Sequence, residues 1–581
     1  MKKNKLNLNI NWISLIIFII ITLIFVSPIF KNFEYWGVGD WDQHVFYNDV
    51  PRKTILEYNQ FPLWNPYYCG GNAMLAHPES SFLSPFYIFI LIFGAVGGLK
   101  ILIVLHIITG MFGMFLLSRK VGIGKISSFL PPIIFMMSSW FPLRMNAGHS
   151  LYFGMVFLPY AFLFYLKSKE NIKYIFISAL FLLFIIFSGG TYPFIFSIIF
   201  LGFYALLETI KTKKTKPIEI LAFIIIFTFL LGAIKFFPSI EFVDNYSFSR
   251  DDTQPTSFNI LYNGLLSRNQ NIDSRFYTAN YEHPTAGEIK VEWYWHEYGA
   301  YVGIIPLILF ITGFFLLRKK WVLLLTSLFL LFLSLGEITT FNLWRVLRAL
   351  PVFSTLHGPS RFLMLFIFSL ALVVGLVLTK IENLKKLKLR KYIVVGIIVI
   401  VLIDMILVSS PIFGNIFLLR PREIIREETD FLQVVSLSPE YLTYRNFNGN
   451  LGTLNCYDRL HPKIKASSIG MDNGTIFTDY TGESYIAETG EVTEITYFSP
   501  NKVIINAVVT EKSTLVLNQN YDNGWKTKNG DVVSYNGLIA KELGPGKNIV
   551  TFYYLPNTFI IGLITTLLVF IFGFYWYYKS K

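Results

Sequence analysis

Residues 1–30 read MKKNKLNLNINWISLIIFIIITLIFVSPIF: a basic start, then an apolar run over 12–30 without a single charge. About 20 apolar residues are what a helix needs to cross a bilayer. The run is too long for the apolar core of a cleavable leader, and no small-residue cleavage site follows it. It is therefore expected to stay in place as a signal-anchor. Comparable runs recur near 100–117, 127–141, 151–166, 174–188, 191–209, 218–237, 300–317, 321–336, 361–379, 392–409 and 557–578, which predicts about twelve spans. One further apolar stretch, Phe82 to Phe93, is short and carries Pro85, as an interfacial or re-entrant helix would.

Composition agrees. The 581 residues are 53% hydrophobic and 15% charged, where soluble domains carry about a quarter charged residues. A disordered chain is excluded by the same numbers, and a disulfide scaffold by the presence of only two cysteines, Cys69 and Cys456. The net charge of +13 would suit nucleic acid only if the charges shared one surface. Instead they cluster at Lys2-Lys3-Lys5, Arg119-Lys120-Lys125, Lys167-Lys169-Lys173, Lys211-Lys213-Lys214-Lys216, Arg318-Lys319-Lys320, Lys380 to Lys391 and Lys579-Lys581. With twelve spans and a cytoplasmic amino terminus, every cluster falls inside, as the positive-inside rule requires. If Phe82 to Phe93 also spanned, every later cluster would face outward, so that stretch is read as non-spanning. The positive excess records topology, and no nucleic-acid partner is expected.

The expected architecture is an α-helical polytopic membrane protein of the plasma membrane with both termini cytoplasmic. Residues 1–409 form the multi-span domain, with outer loops 31–99, 142–150, 238–299 and 337–360. Residues 410–556 form an extracytoplasmic β-rich domain, and residues 557–581 a final transmembrane helix and cytoplasmic tail. Within 410–556, period-two alternation over Lys502 to Ala507 and Asn548 to Tyr553 predicts antiparallel strands. The turn signals Asp522-Asn523-Gly524, Asn529-Gly530 and Gly544-Pro545-Gly546 punctuate them. Separate hairpins lying on the membrane domain would read the same way.

Chemistry is expected on the outer face. Asp40 and Asp42 follow the first span closely, and a partly buried carboxylate there can act as general base toward a hydroxyl. A helix N-cap with a solvated neighbour is the bland alternative. Outside the membrane a sugar donor must be carried on lipid, and its phosphate leaving group needs cationic donors. Arg361, His357, Arg345 and Arg348 share one loop, and Arg144 and His149 another; each also fits an interfacial anchor. Loop 238–299 places Glu241, Asp244, Glu292, His296 and Glu297 among Trp293, Tyr294, Trp295 and Tyr298. Aromatic faces suit sugar rings, although an aromatic belt at the interface has the same composition. His106 and Asp404 lie within spans, an expensive place for polar groups. No phosphate-cradling glycine loop, dinucleotide fingerprint or zinc-spaced His/Cys cluster is present.

The run Gly39-Asp40-Trp41-Asp42-Gln43, the run from Phe61 to Gly71 (FPLWNPYYCGG) and Ser84-Pro85-Phe86-Tyr87 resemble the YfhO-like family of bacterial membrane proteins. So do Gly148-His149, Tyr301 to Leu307, Arg361-Phe362, Asn523 to Lys526 and Gly544 to Lys547, so the resemblance runs nearly end to end. The family belongs with the GT-C glycosyltransferases, which implies a GT-C-like fold and a sugar transferase acting on the outer face with a polyprenyl-phosphate-linked donor. The family's Gly-Asp-x-x-Gln pattern falls on Gly39, Asp40 and Gln43, which makes Asp40 the expected catalytic base. Asp42, additional to that pattern, can share the role or join Asp40 on a divalent cation. Arg361, His357 and Arg345 are the expected donor-phosphate residues. His149, Glu292, Glu297 and Trp64 are the expected acceptor or sugar contacts, and the acceptor a cell-surface polymer, lipid or protein. Asn72-Ala73 departs from the family, which usually has a proline there. A transporter or flippase of an envelope precursor, or a non-catalytic assembly protein, are the competing readings; the nearly charge-free spans and lack of internal repeat weigh against translocation.

Overall fold

A computed structural model describes residues 8–37, 39–244, 256–270, 280–283, 287–290, 294–336, 343–350, 353–354, 356–384, 388–421, 430–435, 443–456, 464–470 and 479–579. Each of the twelve expected stretches contains helix. Among the described residues, six helices are long and apolar enough to cross a membrane: Ile88–Val121, Ser150–Ser168, Thr191–Thr212, Pro359–Glu382, Arg390–Asn415 and Asn557–Lys579. The pair Lys216–Leu231 and Ala233–Val243, bent by 81°, makes a seventh if counted as one span. The other stretches are shorter than the apolar runs suggested, so the structure does not establish twelve spans. Residues 127–141 show why: the helix Leu130–Met137 stops at Ser138, which is extended, and a new helix begins at Trp140. Phe82 to Phe93 forms no span of its own. Its last residues open the helix Ile88–Val121, which is broken at Gly94 (φ 74°, ψ 170°).

The C-terminal region is β-rich, and the two alternating stretches in it are partners. Lys502–Val509 pairs antiparallel with Gly546–Tyr554 in unbroken register from Lys502–Tyr553 to Val509–Gly546. Alternate residues along Lys502–Val509 are buried, Val503, Ile505, Ala507 and Val509, so the period-two pattern is the one-sided burial of a sheet. These strands sit centrally in a four-stranded sheet with Glu494–Ser499 and Trp525–Thr527 at its edges. A second four-stranded sheet runs in the order Ser484–Ile486, Ser513–Asn520, Leu538–Leu543 and Val533–Tyr535. Its last two strands are joined by Asn536-Gly537, both at positive φ (53° and 87°), the two-residue turn whose twist matches a hairpin.

Glu483, at the start of this second sheet, is buried. Burial pushes its carboxyl up to about 8, against the opposing hydrogen bonds from the Gln433 amide, Tyr480 and Asn518. A raised carboxyl contributes stability below its unfolded value near 4.5, and that contribution is lost as pH climbs toward 8. The melting temperature is therefore expected to slope downward between pH 5 and 8. In Glu483→Gln that slope should flatten, measured by scanning fluorimetry of both proteins across the range.

The run from Phe61 to Gly71 straps the membrane domain to the β-rich region. The Asn501 carboxamide oxygen accepts from the Trp64 amide (2.9 Å), and Gln60 donates to the Ser499 hydroxyl (2.9 Å). The Cys69 amide donates to the Thr453 carbonyl (2.8 Å) and the Asn520 amide to the Gly70 carbonyl (2.7 Å). Cys69, Gly70 and Gly71 all have positive φ. A Cβ on Gly71 would lie 2.7 Å from the Trp64 ring, so the paired glycines permit both the backbone turn and the close approach. Cys69 and Cys456, 387 residues apart, form a disulfide with Cα atoms 5.2 Å apart. Cys69→Ser should show reduced gel mobility equal to that of the reduced wild type, and lose about 2–4 kcal/mol of stability. The unfolding midpoint with and without reductant measures it.

Candidate functional site

Asp40 precedes the helix Trp41–Leu56 but makes no side-chain capping bond to it. Its carboxylate lies instead 3.0 Å from Nε2 of His149. What brings the two together is Gly148, at φ 93°. A Cβ there would sit 2.4 Å from the Trp41 amide and 2.9 Å from the Asp40 Cβ, so only glycine lets this turn close onto the segment that carries Asp40. The Trp41 indole fixes the same contact by donating to the Met145 carbonyl (2.6 Å).

The helix Trp140–Ala147 ends at Gly148 and carries Arg144 in its last turn. The Arg144 guanidinium lies 3.4 Å from His149 Nδ1 and donates to the Glu297 carboxylate at 2.8 Å. Arg361, at the start of the helical stretch Pro359–Glu382, donates to both oxygens of the same carboxylate, at 2.9 and 2.6 Å. Glu297 is 3% exposed, Arg144 4% and Arg361 7%, so this is a buried Arg–Glu–Arg triad with one positive charge in excess. Burial alone would raise Glu297, but the two guanidiniums outweigh it and hold its carboxyl well below the usual range. His296 sits edge to face with His149, ring centres 4.9 Å apart. Burial, reinforced by His149, lowers His296 well below the ordinary imidazole value, so its neutral form prevails at pH 7.

Two tyrosines complete the cluster. Arg144 lies over the Tyr152 ring (4.7 Å) and Arg361 over the Tyr192 ring (4.8 Å), which supports each desolvated guanidinium through the ring quadrupole. The Tyr192 hydroxyl is 2.5 Å from His357 Nδ1, tying His357 to Arg361 through one ring. Neither tyrosine stood out in the sequence, since only the fold shows which aromatic carries a cation.

The structure thus joins Asp40, His149, Glu297, and the neighbours Arg361 and His357 from four separate segments, together with Arg144 and His296. Other expected residues lie elsewhere. The Asp42 carboxylate accepts from the amides of Thr443 and Tyr444 (3.0 and 3.2 Å) at the start of the helix Thr443–Asn448. Burial pushes it up to about 6 against those bonds, and its place is a structural cap rather than a partner of Asp40. Trp64 is buried; it donates to Gln519 (2.7 Å) and packs on Trp525 and Tyr554. Its faces are covered by protein, which leaves none for a sugar ring. Arg345 is exposed on the helix Leu343–Arg348, unlike the buried arginines of the triad. Glu292 and Trp293 lie outside the described residues. Trp295 and Tyr298 are each 2% exposed, so they are core residues that seat Glu297 rather than an interfacial belt. Within the spans, Asp404 pairs with Arg268 and accepts from the Tyr301 hydroxyl, and His106 stacks on Phe153.

Among the described residues, His149, His296 and Glu297 bring potential ligand atoms within 4.8 Å of one another and could hold a metal ion. The imidazoles suit a transition metal, whereas the two guanidiniums on Glu297 oppose a cation at that carboxylate. Asp40 and Asp42 are held by different partners, Asp40 by His149 and Asp42 by the amides of Thr443 and Tyr444.

This is a mostly helical membrane protein with a β-rich C-terminal region and a buried polar cluster where several loops meet. No protein-family model matches the chain, and no curated protein matches it in sequence; the likeness to the YfhO-like family therefore rests on the motif residues alone. Solved structures do match. The cryo-EM structure of arabinofuranosyltransferase AftD from Mycobacteria aligns with TM-score 0.43 and 11% identity, over 74% of this chain and 29% of that one. The archaeal oligosaccharyltransferase AglB from Archaeoglobus fulgidus, in complex with an inhibitory peptide and a dolichol-phosphate, aligns with TM-score 0.45 and 11% identity, over 77% of this chain and 64% of that one. A second structure of the Archaeoglobus fulgidus oligosaccharyltransferase, tethered to an acceptor peptide, gives the same values. The chain spans less than two thirds of either relative's length.

Proposed function

We propose that this protein is a membrane glycosyltransferase that moves one sugar, with inversion, from a polyprenyl-phosphate-linked donor to an acceptor on the outer face. The acceptor is a cell-surface polymer, a lipid or a protein. The observation that carries the reading is the junction of the Asp40–His149 pair with the Arg144–Glu297–Arg361 triad. A carboxylate partly open to solvent stands beside a buried site with excess positive charge. The first suits an acceptor hydroxyl and the second suits the phosphate of the leaving lipid.

In the proposed step Asp40 takes the proton of the acceptor hydroxyl as its oxygen forms a bond to the anomeric carbon. The bond from that carbon to the phosphate oxygen breaks, and the electron pair leaves with the polyprenyl phosphate. His149 holds the Asp40 carboxylate in place. Arg361 and Arg144 meet the charge that develops on the phosphate, where fixed cationic donors in a water-poor site act most strongly. His357 acts through Tyr192 and Arg361. A divalent cation held by His149 and His296 beside Asp40 would add positive charge near the acceptor oxygen.

The test is a panel of synthetic polyprenyl-phosphate hexoses and pentoses offered to the purified protein in proteoliposomes, with release of free polyprenyl phosphate as the readout. Turnover of at least one donor is expected, and repeating the assay in a chelator reads the contribution of a cation. No turnover with any donor would remove the transferase reading and favour a transporter or assembly protein.

A further inference from the structure

A groove of about 710 Å³ opens between three apolar helices, far from the polar cluster. Phe223 and Phe227 of the helix Lys216–Leu231 line it with Phe572 and Trp576 of the helix Asn557–Lys579, and Ile175 closes the third side. Phe227 stacks on Trp576, ring centres 5.9 Å apart, which fixes the groove's floor, while Phe223 and Phe572 are more than half exposed. One end of this apolar trough is basic: Lys213, Lys214 and Lys216 border it and are all exposed. The same end receives the N-terminus of the 16-residue helix Lys216–Leu231, whose N-cap residue Thr215 makes no side-chain capping bond. The amides of Ile218 and Glu219 already bond the Thr215 carbonyl and Pro217 has none, so the helix end contributes through its dipole, which favours an anion there.

The helix Thr191–Thr212 measures how far this end lies from the polar cluster. It begins beside Tyr192, which carries Arg361, and ends against Lys213 after 22 residues. At a rise of about 1.5 Å per residue that is roughly 33 Å, about the thickness of a bilayer's hydrocarbon core. The groove and the cluster therefore belong to opposite membrane surfaces.

We infer that this groove holds an anionic phospholipid, with its phosphate among Lys213, Lys214 and Lys216 and its acyl chains along Phe223, Phe227 and Phe572. Charge complementarity selects the headgroup. Three lysines stand against the single carboxylate of Glu219 at the rim, and basic pockets between transmembrane helices favour anionic headgroups. The apolar trough selects a lipid over a free phosphate. The separation from Arg361 makes the site distinct from the one proposed for a donor lipid, so the inference stands whether or not the protein transfers sugars.

Native mass spectrometry of the full-length protein in detergent, with equimolar phosphatidylglycerol and phosphatidylcholine, tests it. The wild type should retain phosphatidylglycerol about tenfold over phosphatidylcholine. The Lys213→Gln, Lys214→Gln, Lys216→Gln triple variant should retain the two equally. Ile172 also lines the groove and is exposed, so Ile172→Trp, which fills the rim and leaves the lysines in place, should lower retention of phosphatidylglycerol. Equal retention by the wild type, an undiminished preference in the triple variant, or full retention in Ile172→Trp would each overturn the site. Displacement of phosphatidylglycerol by an equimolar polyprenyl phosphate would overturn its assignment to a phospholipid.

Discussion

Glu297→Gln should destabilise the folded protein by about 3–5 kcal/mol, the cost of removing one partner from a buried ion cluster. Glutamine keeps the volume and can still accept from one guanidinium, but it carries no charge. Arg144 and Arg361, 4% and 7% exposed, would then face each other across a site with no anion. The melting temperature of the purified variant in detergent measures the loss. A triple variant, Arg144→Met with Glu297→Leu and Arg361→Met, should regain most of it, because apolar residues of similar volume often replace a buried ion cluster at little cost. Wild-type stability in Glu297→Gln would show that the triad is not charged as described. The contribution is not expected to vary between pH 5 and 8. A carboxyl held below its ordinary value gives its full stabilisation above the unfolded value of about 4.5, and loses it only as pH falls through the lowered one. Glu483 behaves oppositely, so the two variants separate by pH.

That triad was visible in the sequence only as separate residues. Arg361, Arg144 and His149 stand out in the sequence as cationic candidates for a lipid phosphate, and Glu297 as a carboxylate set among aromatic residues. What joined them was tertiary: Gly148 closing onto Trp41, and Trp295 and Tyr298 packing inward so that Glu297 follows. Regular periodicity was legible wherever one face is buried, which is why the strands Lys502–Val509 and Gly546–Tyr554 could be anticipated from alternation. The apolar helices are legible as apolar runs but their ends and the number of spans are not, since a break such as Ser138 leaves hydropathy unchanged. The places of Asp42, Trp64 and Cys69 are not legible in the sequence for one physical reason. Their partners Thr443, Gln519 and Cys456 lie nearly 400 or more residues along the chain, and no local pattern reports a contact with the β-rich region. The motifs around them look catalytic because they are polar and crowded, yet most of their polar groups fasten two parts of one molecule.

Asp40→Asn is the substitution with the largest expected effect on activity. If Asp40 is the proton acceptor of the proposed transfer, donor turnover should fall by about 10²–10⁴-fold, with the melting temperature unchanged. Stability should hold because the Asp40 side chain caps no helix and is about a quarter exposed. Asparagine keeps its shape and can still meet His149. The loss should appear in kcat rather than in KM for the donor, since the phosphate would be bound by Arg361 and Arg144, whose guanidiniums are oriented by Glu297. His149→Gln separates base from support. As a positioning residue, His149 holds the carboxylate 3.0 Å away, so its loss should cost less than that of Asp40 and change the pH profile of kcat. Asp40→Glu should recover part of the activity, because it restores a base displaced by one methylene. Full turnover in Asp40→Asn would remove the base from Asp40. The Arg–Glu–Arg triad would then stand as an anion site without a catalyst, the arrangement expected of a protein that binds a lipid-linked precursor and does not cleave it.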